Sequence, residues 1–110
     1  MLPLGATAKQ VGVASFYSRY HQGRLTASGE RFNYNLLTAA HKTLPFGTRV
    51  KVTNLATQES VIVTINDRGP FVKGRSIDLS RRAARAISID GIAEVSIKVV
   101  SKPTDAIHHT

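Results

Sequence analysis

Two stretches of alternating apolar residues constrain this chain more than anything else in it. Val50 and Val52 alternate with polar neighbours across residues 48–54, and Val61, Val63 and Ile65 lie on alternate positions of residues 60–66. A period of two puts every second side chain on one face of an extended chain, so each segment reads as a strand with one buried face. Residues 55–59 are short enough to join the two as a hairpin. Asp67-Arg68-Gly69-Pro70 then breaks the second strand sharply.

The flanking segments extend the same pattern. Val11, Val13 and Ser15 alternate against Gly12, Ala14 and Phe16, a first strand that closes at Tyr17. Val95, Ile97 and Val99 share one face of a last strand over residues 95–100. Residues 36–40 and 76–79 are shorter apolar pieces, and the first fits either a buried strand or a turn of helix. Ser80 is a good helix N-cap ahead of residues 81–87, where alanine and arginine have high helix propensity. Residues 21–31 are rich in Gly, Ser, Thr and charge and read as a long exposed loop, the kind of segment that usually carries function in a small domain. Five or six short strands with one or two short helices predict a mainly β fold, a small closed or nearly closed barrel that leaves no exposed sheet edge.

At 110 residues the chain has room for one core. Its expected organisation is an extension over residues 1–10, the barrel over 11–100 and a tail over 101–110. With no cysteine, a disulfide scaffold, a thiolate metal site and a cysteine nucleophile are all excluded. A net charge of +8 attracts polyanions, and nucleic acid, anionic lipid and anionic wall polymer are all candidates. Only Arg81, Arg82 and Arg85 cluster, so there is no basic arm, and nucleic acid ranks well below the other partners. No stretch is long and apolar enough to cross a bilayer, while Ala6-Thr7-Ala8 resembles the small-residue end of a signal peptide.

Seven carboxylates, four histidines and three tyrosines are few enough to sort by elimination. Asp105, His108 and His109 sit in the tail, Glu59 in the hairpin loop, Asp90 in a turn and Glu94 beside the last strand's start, where a solvated charge is the ordinary explanation. Asp67, between an apolar strand and a rigid turn, is mounted as catalytic acids usually are, although a turn former bonded to its own backbone has the same spacing. Glu30 is an exposed loop charge on spacing alone, Asp78 reads as support for the helix start or a partner of Arg75, and His41 as a hydrogen-bonded core residue. Tyr17, Tyr20 and Phe32 flank the long loop as possible aromatic platforms. No histidine pair has ligand spacing, so neither metal nor cofactor is expected.

Longer strings say more than single residues. Residues 12–17 (GVASFY), 23–30 (GRLTASGE), 39–48 (AAHKTLPFGT), 61–70 ending in NDRGP, and 77–80 (IDLS) occur in that order and at natural spacing. On these strings the chain resembles the rare lipoprotein A family, whose domain is a six-stranded double-psi β-barrel. The resemblance implies a periplasmic or cell-envelope, monomeric lytic transglycosylase that cleaves the MurNAc-GlcNAc bond of peptidoglycan glycan strands without water, leaving 1,6-anhydro ends. It also implies kinship with expansin-like barrels, hence the alternative of a non-catalytic wall-glycan binder. Carried over residue by residue, it makes Asp67 the catalytic acid, puts Glu30 and His41 in the same cleft, and offers Tyr17, Thr26, Ser28 and Arg68 as substrate contacts. Arg68 is expected to point away from Asp67, since a cation there would hold the carboxylate ionised. Phe16 departs from the family, which commonly carries Trp at that position.

Overall fold

The computed structural model describes residues 9–17 and 21–103. The Ala6-Thr7-Ala8 string, Tyr20 and the tail from residue 104 lie outside the described residues. Six strands and one helix follow in chain order: β1 (Lys9–Phe16), β2 (Thr38–His41), β3 (Arg49–Asn54), β4 (Ser60–Asp67), β5 (Ile77–Leu79), α1 (Arg81–Ala86) and β6 (Ala93–Ser101). The segment over residues 36–40, left open between strand and helix, forms β2. The first strand begins two residues before its expected start and joins the sheet from Lys9.

The strands close into a barrel in the order β1-β5-β2-β4-β3-β6, with β6 returning to β1. Two neighbouring pairs are parallel, β1 with β5 and β2 with β4, and the remaining pairs are antiparallel. The expected hairpin is β3 and β4, paired from Arg49 opposite Thr64 to Thr53 opposite Ser60. Closure satisfies the backbone groups that an open sheet would leave at its edges.

The interior is filled by the alternating residues. Val50 and Val52 of β3, Val63 and Ile65 of β4, Ile77 and Leu79 of β5, and Val95 and Ile97 of β6 are almost fully buried together. A barrel this small has space inside for side chains only, so it is a packed core and not a channel. On β1 the valines point outward: Val11 is 63% exposed, while Ala14 is fully buried. The reason is local crowding, since a Cβ at Gly12 would overlap the Ser76 side chain, and only a small residue fits against it. Helix α1 is capped as expected, with the Ser80 hydroxyl accepting from the Ala83 amide, and Ala83, Ala84 and Ile87 join the core.

One irregularity positions the functional face. β2 and β4 pair Ala39 with Ile65 but Ala40 with Asp67, leaving Asn66 as an extra residue in β4. Strict alternation after Val63 and Ile65 would aim residue 67 into the core. The bulge re-aims it outward, beside Ala40.

Candidate active site

Register places two carboxylates on the outer surface of β5 and β4, the two strands that flank β2. Ser15 of β1 stands opposite Asp78 of β5, Asp78 opposite Ala40 of β2, and Ala40 opposite Asp67 of β4. These four residues form one row across four neighbouring strands. Asp67 and Asp78 are two strand spacings apart, about 10 Å between backbones. Alanine between them keeps the strip low, and Tyr17 and Phe32 pack over it.

Asp67 is held by donors. Its Oδ2 accepts from the Tyr17 hydroxyl at 2.6 Å, and its Oδ1 accepts from the amides of Ala27 at 2.8 Å and Arg68 at 2.9 Å. Three donors occupy acceptor sites on both oxygens and fix the orientation of the carboxyl group. The Ala27 contact ties the long loop to the end of β4, and the Ser28 amide adds a bond to the Asn66 carbonyl at 3.2 Å.

Asp78 sits in a different environment. It receives the Ser15 hydroxyl at 3.1 Å and is half-buried. Burial raises its proton affinity above the usual carboxylate value, and the charge of Asp67 adds to the rise. The Ser15 bond and the charges of His21 and Arg75 oppose it without reversing it. The expected link between Asp78 and Arg75 is thus real as charge, but the side chain belongs to the outer row. Sequence reasoning gave this residue a structural role at the helix start, although a single carboxylate between Ile77 and Leu79 in an apolar strand was a visible signal.

The remaining candidates divide. Tyr17 is only 8% exposed, its ring stacked on Phe32 at 4.3 Å and met edge-on by His21 at 5.1 Å. Its faces are therefore covered, which corrects the expectation that it stacks on a sugar; its contribution is the hydroxyl. Burial first, then the bond to Asp67, push the phenol well above its ordinary value, so it remains a donor. Glu30 accepts from the Asn66 side chain at 3.1 Å and borders a depression of about 260 Å³ with Ser28, Phe46, Thr64 and Asn66, one residue along β4 from Asp67. His41 is buried, and its Nδ1 accepts from the amides of Thr43 and Leu44, both at 3.1 Å. Burial, then Arg68 and Lys42, lower its proton affinity. The Nδ1 of this ring is committed to the loop after β2, which leaves Nε2 for the cleft role that the resemblance implies.

Thr26 and Ser28 share a hydroxyl bond at 2.8 Å, and the Thr26 hydroxyl also donates to the Glu30 carbonyl at 2.8 Å. They shape the long loop. Arg68 points away from the Asp67 carboxylate, as expected. Its Nη1 donates to the Leu44 carbonyl at 2.8 Å and the His41 carbonyl at 3.2 Å, with the guanidinium 4.1 Å over the Phe46 ring. Arg68 latches the loop after β2, and its side chain is spent on protein carbonyls where a substrate contact was expected.

A family model described as lytic transglycolase matches residues 9–98. The chain belongs to that lytic transglycolase family. Among relatives of this lytic transglycolase domain, a probable endolytic peptidoglycan transglycosylase RlpA from Synechocystis sp. is 61% identical over 99 residues, covering 86% of this chain and 31% of the relative. The endolytic peptidoglycan transglycosylase RlpA of Pasteurella multocida is 58% identical over 91 residues, covering 81% of this chain and 31% of the relative. The chain thus spans less than a third of the length of these curated relatives. Among solved structures, a mutant expansin of Clavibacter michiganensis in complex with cellohexaose superposes with a TM-score of 0.67 at 20% identity, over 88% of this chain and 52% of that one. The shared architecture is the double-psi β-barrel. Among the described residues, no helix is long and apolar enough to cross a membrane.

Proposed function

We propose that this domain acts in the cell envelope as a peptidoglycan lytic transglycosylase, with Asp78 as the proton-transferring group and Asp67 as the partner that stabilises the developing positive charge. The observation that carries the reading is the row Ser15, Asp78, Ala40 and Asp67, in which two carboxylates of unlike environment share one outer face. Support for the substrate comes from the family match and from relatives named as peptidoglycan transglycosylases.

Breaking the MurNAc-GlcNAc bond requires a proton on the leaving oxygen while positive charge builds on the muramyl ring. A group of raised proton affinity is suited to give that proton, and a neighbouring fixed anion is suited to stabilise the charge. Asp78 has the first property. Asp67, held by three donors, has the second. As the bond breaks, the leaving oxygen keeps the Asp78 proton and departs with the bonding pair. The muramyl 6-hydroxyl then closes onto C1, and its proton passes to the Asp78 carboxylate, which restores the acid. No water enters, and the product ends in a 1,6-anhydro ring. The family resemblance made Asp67 the acid; its hydrogen bonds fit the stabilising role better, and Tyr17 positions it.

The test is digestion of purified sacculi with mass spectrometry of the released fragments. Wild-type protein yields anhydromuramyl ends; Asp78→Asn keeps its fold and releases none, while Asp67→Asn releases them much more slowly. Full release by Asp78→Asn overturns the assignment. Binding to sacculi with no release by the wild type leaves the non-catalytic glycan binder.

A further inference from the structure

The side of the barrel away from the aspartates carries a second row. Lys9 of β1 stands directly opposite Lys98 of β6, and Lys98 directly opposite Lys51 of β3. In the closed order, β6 lies three strands from β2 in either direction. The lysine row and the aspartate row are therefore on opposite sides of the ring.

Like charges directly opposite across strands destabilise a sheet, so such a row is an expense unless something neutralises it. None of the three ammonium groups has a hydrogen-bond or ion-pair partner among the described residues. The nearest acid on the outer face of β6 is Glu94, four residues from Lys98, about 13 Å along the strand. The three lysines border a depression of about 500 Å³ that also takes in Thr53, Ser60 and Ser96. The Thr53 and Ser60 hydroxyls bond each other at 2.8 Å and leave further lone-pair and rotor capacity at the floor.

We propose that this depression binds a flexible polymer of closely spaced phosphate groups that carries no bases. The row is all lysine in a chain that contains the Arg81, Arg82 and Arg85 cluster elsewhere. Lysine acts as a compact point charge with rotatable donors that can follow successive phosphates along a flexible chain, whereas the arginine fork fixes a single carboxylate or phosphate in a bidentate geometry. No aromatic residue lines the depression, so bases have nothing to stack on. Its concavity fits a threaded chain and not a flat bilayer. Such a contact would hold the domain on an anionic polymer while the opposite side faces glycan. It stands on the lysine register alone and survives or fails independently of the cleavage reaction.

The experiment uses the whole 110-residue chain and labelled inorganic polyphosphate, with binding read by anisotropy across a salt series. Lys51→Gln/Lys98→Gln should weaken binding at least tenfold and flatten the slope of log affinity against log salt by about 1.4, at roughly 0.7 per lost phosphate contact. Arg81→Gln/Arg85→Gln removes the same charge from the helix and should change affinity less than twofold. Lys98→Gln alone supplies an independent reading should the double variant fail to fold. Equal losses in the lysine and arginine variants overturn the proposal, because net charge then explains the binding. Tighter binding to oligothymidylate, to polygalacturonate or to vesicles of anionic phospholipid than to polyphosphate also overturns it, in favour of nucleic acid, carboxylated glycan or membrane.

Discussion

Replacing Tyr17 with Phe removes one hydroxyl and leaves the ring stacked on Phe32, so it isolates the bond to Asp67. A hydrogen bond to a charged group contributes about 1.5–3 kcal/mol, and Asp67 is only half-buried, so the lower end applies. For a domain of this size, about 1.5 kcal/mol corresponds to a fall in melting temperature of roughly 6–12 °C. The sharper signature is its pH dependence. The folded phenol holds its proton far above the ordinary value of 10.0, mainly through burial. An unfolded chain loses that proton near pH 10 while the folded one keeps it, so wild-type stability is intact below pH 10 and falls above it. One proton of difference costs about 1.4 kcal/mol by pH 11. The Tyr17→Phe protein has no such proton to lose, so the two stability curves, well separated at pH 8, should converge near pH 11. Urea denaturation at half-unit steps between pH 8 and 11.5, compared as a difference between the two proteins, reads this directly. A constant gap across that range refutes the buried, hydrogen-bonded phenol and with it the positioning of Asp67.

Asp78→Asn should separate stability from activity: because burial raises the folded proton affinity of Asp78, the wild type loses stability as pH rises past about 3.8, and the amide should melt higher at pH 7 but equally at pH 3. Ser80→Ala removes the acceptor for the Ala83 amide and the donor to the Leu36 carbonyl, and should cost about 2 kcal/mol by denaturant titration with α1 fraying first in hydrogen exchange. Gly12→Ala must displace Ser76 and should cost about 1–3 kcal/mol, with no effect on the sacculus assay beyond the loss of folded protein.

The strands of the central hairpin were legible because their burial is periodic: Val50, Val52, Val63 and Ile65 face the core as their spacing requires. Ser80 was legible because a cap acts three residues away. The site was less so. Tyr17 and Asp67 are 50 positions apart, and Ser15 and Asp78 are 63 apart, so no local pattern announces either pair. Asp78 looked like a helix-start residue because its neighbour across the barrel is set by closure of the ring and not by adjacent sequence. His41 and Arg68 have the residue types of a reactive centre, but the loop after β2 needs their nitrogens for its own amides and carbonyls.

Asn66 turns the geometry of the reactive face into a question of odd and even. Straighten the strand there without removing a residue and the valines upstream would keep their places, the strand would still pass as a strand, and the Asp67 carboxylate would arrive among Ile65, Ile77 and Leu79. Delete Asn66 instead and the carboxylate, now directly after Ile65, would keep its outward aim. A residue gained or lost between Ile65 and the carboxylate is thus tolerated only together with a matching gain or loss of the bulge at the end of β4.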